Sequence, residues 1–515
     1  MKIELSDGSK APRTGPGTGK ATAIPSLAVL YFENLSSDPD SDYFCAGITE
    51  DILTDLSKIK GLRVASRNAV ARYRGESADI PRVANELGVT AVVEGSVRRA
   101  GDRVRITAQL INAADGFHIW AERYDRTLQD VFAVQEEIAS SIVAALKVAL
   151  APGESEKLGS DRPGDVRAYD LYLKGRERYF NYTRESLHEA LDLFQRATRV
   201  EPDYALAWAG IADCYGQMLQ WDLGGHRVRD LTKLGLEAAR RAIAIDPKLA
   251  EAHKAEALVL RGAGDMVASE RALLQALKMN PRLISALINL GVAAYERCDI
   301  AGCERRMRRA LESEPHQSFT TAWLNTVVRL TKRYDEGIAL AQQGLASAVN
   351  EFERRGAYVA LAATHLDRGD LAAARACMEE LRRDEAMFLV AYLLDAVLLT
   401  RDGKAAHADR QLAIAETSAE LNPTLVAWAI EVCIARGEMD RAVEFAKRTI
   451  FYDLCTTALR VTPELHPLLD LEPFAPRIAR ETLVWPSEAP PVPREIASLF
   501  TDVRMESGLP TSTGE

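Results

Sequence analysis

The feature that most constrains this chain is a proline that returns at a fixed interval. Pro247, Pro281 and Pro315 are 34 residues apart, twice in succession. A period of about 20–50 residues is typical of solenoids, whose units bury an apolar face only by stacking on the next unit. We therefore expect a large part of this 515-residue chain to be a repeat array rather than one globular core.

The residues that precede these prolines indicate paired helices. Small side chains are needed where the two helices of a unit cross, and bulkier ones where units pack on each other. The matching offsets hold Ala190, Phe194 and Ala197 before Pro202, then Ser269, Leu273 and Ala276 before Pro281, and Cys303, Met307 and Ala310 before Pro315. A 34-residue period with this pattern is the signature of tetratricopeptide repeats.

The array is predicted to span residues 166–455 in about eight units. Beyond Pro315 the pattern weakens, but four stretches still resemble the start of a second repeat helix: 333–345, 368–381, 402–415 and 436–450. Residues 456–515 are predicted to be a capping segment and a loose tail, because the last unit of a solenoid otherwise exposes its apolar face.

The residue pattern before the array is different. Residues 26–150 alternate short apolar runs with amphipathic stretches, which predicts a small mixed sheet with packed helices. Strands are expected at 27–32 and 62–66, helices at 43–59, 79–88 and 128–150, and hairpin turns at 101–102 and 114–116. Residues 1–25 are expected to be disordered and 151–165 to be a linker. The predicted fold is an α/β domain followed by an all-α tetratricopeptide solenoid.

An acidic stretch raises the question of a cation site. Residues 36–52 read SSDPDSDYFCAGITEDI. A calcium loop places ligands at alternate positions, with Gly at the sixth and Glu at the twelfth. Counted from Asp38, these positions hold Tyr43 and Thr49. We therefore favour helix capping by Ser or Asp, with acids in the first turn beside the helix dipole.

No pattern of catalytic residues stands out. The eight histidines form no close pair, and neither H-E-x-x-H nor G-x-S-x-G occurs. The stretch TGPGTGKAT resembles a phosphate loop but holds Thr14 and Ala21 where Gly and Ser or Thr are required. Together with a repeat array over more than half of the chain, this predicts a non-enzymatic protein without a metal or a cofactor.

Charge and cysteine usage limit the partners and the compartment. The net charge of −10 disfavours generic nucleic-acid binding, which needs a basic surface. Seven cysteines without a C-x-x-C pair are expected to be reduced, mostly buried thiols. The N-terminus has no apolar signal core, and no window is long enough to span a membrane, so a cytoplasmic protein is predicted.

Two arginines of the α/β domain are weak candidates for partner binding. The turn at 101–102 would pair Arg98 with Arg105 and place Arg103 on the same face. Like charges on one face usually repel, so they would meet acids from elsewhere in the chain or a partner. The plainer interpretation is a solvated face that protects the sheet edge.

A family resemblance covers about residues 26–150. It is carried by the stretches YFENLSSDPDSDYFCAGITEDILTDLSKIKGLRVASRNA and VANELGVTAVVEGSVRRAGDRVRITAQLINAADGFHIWAERYDRTLQDVFAVQEEIA. They closely resemble the TolB-amino-terminal-like (FlgO-like) domain of bacterial regulatory proteins, which precedes tetratricopeptide repeats. In that family the pair commonly follows a class III adenylate or guanylate cyclase domain, or a winged-helix DNA-binding domain with a membrane span. Only 25 residues precede the domain here, so neither activity is expected to carry over.

The sequence therefore predicts a non-enzymatic regulatory or scaffold protein. Its repeat superhelix would present a groove to a protein partner, with Asn289 and Asn325 on first helices as weak candidates for contacts. The α/β domain would dock or sense. The alternative is the regulatory portion of a class III adenylate or guanylate cyclase system that lacks its catalytic domain. A transcription-regulator remnant is disfavoured by the acidic charge, and self-association is left open.

Overall fold

The structure is a computed structural model. It describes residues 25–36, 41–59, 61–74, 79–148, 163–181, 183–221, 228–296, 299–314, 317–348, 351–383, 389–417, 430, 432–434 and 436–447. The expected disordered segment 1–25, the linker 151–165 and the tail 456–515 lie wholly or mostly outside these residues.

The N-terminal part is a mixed sheet with helices packed on it. The strands are β1 (Ser26–Val29), β2 (Glu33–Asn34), β3 (Arg63–Val64), β4 (Ala91–Ala100), β5 (Arg103–Asn112) and β6 (His118–Thr127). The helices are α1 (Asp42–Ser57), α2 (Arg67–Ala71), α3 (Ile80–Leu87) and α4 (Val131–Ala145), the last preceded by a 3-10 turn at Leu128–Asp130. The predicted mixed sheet is confirmed.

The strand order is β3-β1-β4-β5-β6, and β2 also pairs with β4. β1 runs parallel to β3 and β4, whereas β4, β5 and β6 form an antiparallel meander. The run 27–32, predicted as one strand, leaves the ladder after Val29. Its Phe32 N–H instead donates to the Thr49 hydroxyl of α1 (3.0 Å), so the chain turns there into the short β2.

Local sequence signals account for the helix ends of this part. Asp79 caps α3 by accepting from Arg82 N–H (3.3 Å), and Gly88 ends it in the left-handed region at φ 62°. Thr127 and Asp130 form a capping box before α4, which therefore begins later than the predicted residue 128.

Within the described residues after this domain, the elements are all helices. They are α5 (Val166–Tyr179), α6 (Arg184–Val200), α7 (Ala205–Trp221), α8 (Val228–Ile245), α9 (Ala250–Gly262), α10 (Met266–Met279), α11 (Ile284–Glu296), α12 (Ile300–Ser313), α13 (Ser318–Leu330), α14 (Tyr334–Ser347), α15 (Glu351–Arg368), α16 (Leu371–Arg382), α17 (Leu389–Arg401), α18 (Ala405–Thr417) and α19 (Met439–Lys447). Each odd-numbered helix from α5 to α17 packs on the next one, and first helices such as α7 and α9 or α13 and α15 also touch across units.

The turn inside a helix pair repeats the same backbone geometry. Gly264, Gly369, Gly403 and Gly437 all have φ between 72° and 87°, a region that residues with a Cβ rarely adopt. Lys332 occupies the same place with φ 60°. In each turn, the N–H of the following residue donates to a carbonyl five residues back, as in a Schellman motif.

The positions predicted from the 34-residue period lie in the core. Each of the nine side chains at the matching offsets is buried: Ala190, Phe194, Ala197, Ser269, Leu273, Ala276, Cys303, Met307 and Ala310. The five cysteines within the described residues are free thiols and buried. Among the described helices, none is both long and apolar enough to cross a membrane.

Candidate functional site

The α/β domain meets the array through α1 and α5, and two acids of α1 lie at this contact. Phe44, Ile48 and Ile52 are spaced to face the sheet and are fully buried. Glu50 and Asp51 therefore point to the other side, toward α5. Glu50 is only 6% exposed, so its charge needs partners inside the protein.

Glu50 is held by two guanidinium groups. Arg67 of α2 donates to its Oε1 and Arg176 of α5 to its Oε2, while the Tyr31 hydroxyl also donates to Oε1 (2.9 Å). Burial by itself would raise the pKa of Glu50. The positive charges of Arg176 and Arg67 outweigh it, so the pKa is lowered and the carboxylate stays ionised. Arg67 also stacks over the Phe180 ring at 4.0 Å.

Asp51 extends this network to α4 and α5. It accepts hydrogen bonds from the Tyr169 hydroxyl and from Gln135 Nε2 (3.2 Å), and Arg176 Nη1 lies 3.7 Å from its Oδ1. Gln135 is fully buried on α4 and donates to the Tyr169 oxygen as well (2.8 Å). Three elements are thus joined by polar side chains at this contact.

A second polar cluster lies farther along the same contact. The Tyr43 hydroxyl donates to Asp170 Oδ1 (2.5 Å), and Arg99 Nη1 donates to the same oxygen (2.9 Å). Lys174 Nζ lies 3.0 Å from Asp170 Oδ2. Burial alone would raise the pKa of Asp170. Hydrogen bonds from Tyr43, Lys174 and Arg99 lower it below its usual range.

A later unit of the array also contacts the α/β domain. Arg282, in the turn before α11, donates from Nη1 to the carbonyls of Ser57 (3.2 Å) and Leu62 (3.1 Å). These carbonyls stand at the end of α1 and just before β3. The α/β domain is therefore held at two places of the array that are more than a hundred residues apart.

The charged groups of this junction have partners within the chain. Its acids are all engaged by cations or hydroxyls, and among the described residues no group of His, Cys, Asp and Glu could hold a metal ion. Of the acidic stretch, Asp38 and Asp40 lie outside the described residues. Asp42 stands in the first turn of α1, where it accepts from Asn34 Nδ2 (2.7 Å). Ser41 is the N-cap residue but its side chain makes no capping bond.

Polar side chains also link first helices of consecutive units. Lys254 Nζ donates to Asp213 Oδ2 (2.5 Å) between α9 and α7. Arg329 Nη1 donates to Asp367 Oδ2 (2.5 Å) between α13 and α15. These bonds link α7 to α9 and α13 to α15, and so help to set the surface that these first helices form.

Three aromatic side chains lie on this first-helix surface. The rings of Tyr295 on α11 and Trp323 on α13 are 5.5 Å apart and nearly perpendicular. Phe319, one turn before Trp323, lies 6.4 Å from its ring and is 50% exposed. Tyr295 and Trp323 are half-buried and pack against the core of their units, so Phe319 is the exposed member of the group. Aromatic side chains are enriched where proteins bind each other.

The two asparagines proposed from the sequence have different positions. Asn289 is half-buried; its Nδ2 donates to Ser285 O (2.7 Å) and its Oδ1 accepts from Arg261 Nη1 (3.4 Å). Asn325 is 1% exposed. Its amide donates to Gly337 O (2.7 Å) and to the Thr364 hydroxyl (2.9 Å), so it joins units inside the core and does not face a groove.

The two arginines proposed from the sequence lie opposite each other on β4 and β5, as the hairpin turn predicts. Arg98 is exposed and donates to Leu35 O (3.1 Å). Arg105 meets an acid of the neighbouring strand, because its Nε donates to Asp125 Oδ1 (2.5 Å). The like charges are thus relieved by groups of the same chain.

Comparison with known proteins gives partial relatives. No family model matches the chain. A protein of Rhizobium meliloti (strain 1021), named putative adenylate cyclase 3, is 45% identical over 241 residues, which are 46% of this chain and 40% of the relative. The chain therefore matches less than half of the length of this curated relative.

Two solved structures share part of the helical architecture. A tetratricopeptide repeat protein from Parabacteroides merdae ATCC 43184 is 14% identical, with a TM-score of 0.37, over 53% of this chain and 99% of that one. The type IV pilus biogenesis factor PilW is 16% identical, with a TM-score of 0.33, over 42% of this chain and 93% of its own. TM-scores this low assign neither a family nor a function.

Proposed function

We propose that the chain is a non-enzymatic scaffold that binds a protein partner along the surface formed by its first helices. The observation that carries the proposal is the aromatic group of Tyr295, Phe319 and Trp323 on consecutive first helices. Stacked helix pairs make an extended surface through the rotation of each unit, and aromatic side chains are enriched among the few residues that carry most of the binding energy of an interface.

The α/β domain would act as a docking or sensing module that is fixed to the start of the array. Its resemblance to the TolB-amino-terminal-like domain supports a regulatory role, and the charged junction of Glu50 and Arg176 would hold it in a defined orientation. The partner would then meet one continuous assembly rather than two independent domains.

Affinity capture with the full-length chain tests this function. The wild type, Phe319→Ala and the control Leu234→Ala are immobilised, and proteins retained from lysate are quantified. Leu234 is a comparably exposed apolar residue on the second helix α8. We expect a set of proteins that the wild type and the control retain and that Phe319→Ala loses several-fold. Equal retention by all three chains argues against this surface.

The second candidate is a regulatory part in a cyclic-nucleotide system, which the name of the 45%-identical relative favours. The purified chain itself is expected to make no cyclic nucleotide from ATP or GTP. When it is added to the purified relative, the rate of cyclic AMP formation from ATP should change. An unchanged rate speaks against regulation, and product formed by the chain alone would overturn the non-enzymatic assignment.

A further inference from the structure

The last strand of the sheet, β6, has a free edge. It follows β5 at one end of the strand order, and no other strand of the described chain pairs with it. Except for the half-buried Trp120 and the buried Tyr124, all of its residues are exposed in the full chain. Ile119 and the preceding Phe117 are large apolar residues that are 43% and 73% exposed. The array therefore leaves this edge open.

The pairing of β6 with β5 fixes which backbone groups face outward. Leu128 N–H donates to Asp102 O (2.6 Å), which continues the strand register by one pair. Bonded and non-bonded pairs alternate along antiparallel strands, so the even-numbered residues from Trp120 to Arg126 exchange hydrogen bonds with β5. Ala121, Arg123 and Asp125 therefore direct their N–H and C=O groups away from the sheet.

We propose that β6 pairs in antiparallel fashion with β6 of a second copy of this chain, about a two-fold axis at Tyr124. In this register, Arg123 stands opposite Asp125 of the second copy, and Glu122 stands opposite Arg126 of the second copy. The symmetry repeats both contacts. All four charged residues of the strand centre thus meet an opposite charge, on both faces of the extended sheet.

Neighbouring registers do not have this complementarity. A two-fold axis at Arg123 sets Arg123 against itself, and an axis at Asp125 sets two aspartates face to face. Charges on an edge strand normally prevent such pairing. Here their order along the strand selects one self-pairing register and rejects the next ones, which is the arrangement expected of a specific interface.

The backbone can complete this ladder with small adjustments. Arg123 and Asp125 of the two copies exchange N–H and C=O bonds with each other. Ala121 N–H reaches the Thr127 carbonyl of the second copy. Thr127 N–H already donates to Asp130 Oδ2 (3.3 Å), and the exposed Arg126 Nη1 lies 3.2 Å from Asp125 O. The Arg126 side chain must share that carbonyl, which can accept two bonds.

The same charges have partners within their own chain. Asp125 accepts from Arg105 Nε (2.5 Å), and Arg126 Nη2 lies 3.6 Å from Glu137 on α4. These are exposed pairs, which hold side chains only weakly. Within one chain, Arg123 Nε also lies 3.5 Å from Asp125 Oδ2, and the Tyr124 hydroxyl donates to Glu122 Oε2 (2.9 Å). In the dimer, Arg123 exchanges this contact for Asp125 of the other copy, while Asp125 keeps Arg105 of its own chain.

The first test is the oligomeric state of the full-length chain, measured by sedimentation velocity at increasing concentration. We expect a concentration-dependent species of about twice 56.6 kDa. A chain that sediments as a monomer at every concentration overturns the proposal. This measurement does not involve another protein. The dimer proposal can therefore fail while the proposed scaffold function stands.

Two complementary variants test the register. Arg123→Asp places aspartates opposite each other in its own dimer, and Asp125→Arg places arginines opposite each other. Each variant alone should dimerise at least about tenfold more weakly than the wild type. An equal mixture should restore dimers within a few-fold of the wild type, because each Asp then meets an Arg. Failure of the mixture to restore dimers contradicts this register.

A backbone variant separates strand pairing from charge. Ala121→Pro removes an N–H that points away from β5, so the monomer should keep its circular dichroism spectrum, because proline is tolerated at such positions of an edge strand. Its dimer should weaken severalfold. If Ala121→Pro and Arg123→Asp both dimerise like the wild type, the copies associate through another surface and the proposal is wrong.

Discussion

At the residue scale, Glu50 shows how a charge becomes part of a domain junction. Its carboxylate is buried, and its ionisation is maintained by Arg67 and Arg176, which come from different parts of the chain. Burying an ion pair often adds little net stability compared with apolar packing. Removing one member is costly, however, because the remaining charges stay buried without compensation.

Glu50→Gln should therefore destabilise the junction by about 3 kcal/mol. The amide keeps the volume and one acceptor but leaves Arg67 and Arg176 without their shared counter-ion. The measurement is native-state hydrogen exchange of peptides from α1 and α5. Glu136→Gln, an exposed acid on α4, is the control and should change the opening free energy by less than about 0.5 kcal/mol. A loss no larger than that of the control would refute the role given to Glu50.

The lowered pKa of Glu50 also predicts the direction of a pH effect. A group whose pKa is lower in the folded state stabilises the protein fully above its unfolded pKa, about 4.3 for Glu. This contribution is lost as the pH falls from there through the folded value. The opening free energy of α1 should therefore drop in acid in the wild type, and drop less in Glu50→Gln. Parallel pH profiles of the two chains would show that Glu50 is not the titrating group.

Lys332 gives a second test at single-residue resolution. It adopts φ 60° in a turn where four other units place glycine. A residue with a Cβ pays about 1–2 kcal/mol to adopt the left-handed region. Replacing it with glycine removes this strain, but part of the gain is lost because glycine has more conformational freedom in the unfolded chain. Lys332→Gly should stabilise α13 and α14 by roughly 0.5–1 kcal/mol in hydrogen exchange. Gly369→Ala, at φ 87°, should instead destabilise the helices on either side of its turn. The same sign in both variants would contradict this explanation.

At the element scale, α1 and α5 approach closely because α1 has a glycine at the contact. A Cβ built on Gly47 would lie 2.3 Å from Leu173 Cδ1, and Leu173 is itself buried. Overpacking of such a site costs typically about 1–3 kcal/mol, which exceeds the gain of about 1 kcal/mol in helix propensity. The close approach allows the acids of α1 to reach Arg176.

Two glycine substitutions in helix interiors should therefore have opposite effects. Gly356 lies inside α15 with no atom within 4 Å of an added Cβ, so Gly356→Ala should stabilise its helix by up to about 1 kcal/mol. Gly47→Ala should destabilise α1 and α5, and Leu173→Ala should be less harmful in that background than in the wild type. Hydrogen exchange of the two helix pairs provides the measurement. Additive effects of Gly47→Ala and Leu173→Ala would rule out the proposed clash.

The elements of this fold follow closely from local sequence patterns, whereas their polar contacts do not. Caps and turns depend on neighbours a few residues away, and the 34-residue period can be read from the sequence by its spacing alone. The partners of Glu50 stand 17 and 126 residues away, so its acidic stretch looked like a helix start and nothing more. The sequence predicts Asn325 on a groove for the same reason, since the Thr364 hydroxyl that accepts its hydrogen bond lies 39 residues farther along.

At the scale of the whole molecule, the apolar cores do not follow the boundary that the sequence suggests. One continuous core runs from Leu27 of the sheet to Val259 of α9, and so includes the α/β domain and the first repeat units. Among the described residues, two further cores lie mainly beyond it, one between Ala257 and Leu340 and one between Ala362 and Ala442. A small cluster of Ala209, Ala242, Leu249 and Ala252 is separate from all three. Because units of a solenoid contact only their neighbours, each core can open without the others.

This division predicts which segments unfold together. As denaturant increases, hydrogen exchange of peptides from β4, α1, α5 and α7 should converge on one opening free energy, because they share the first core and the junction at Glu50. Peptides from α16 and α17 should open separately and at lower denaturant, since their core is smaller and lies toward the far end of the described array. In Glu50→Gln, the opening free energies of β4 and α7 should differ from each other, while those of α16 and α17 stay unchanged. If β4 and α7 already exchange independently in the wild type, the α/β domain is not built into the array.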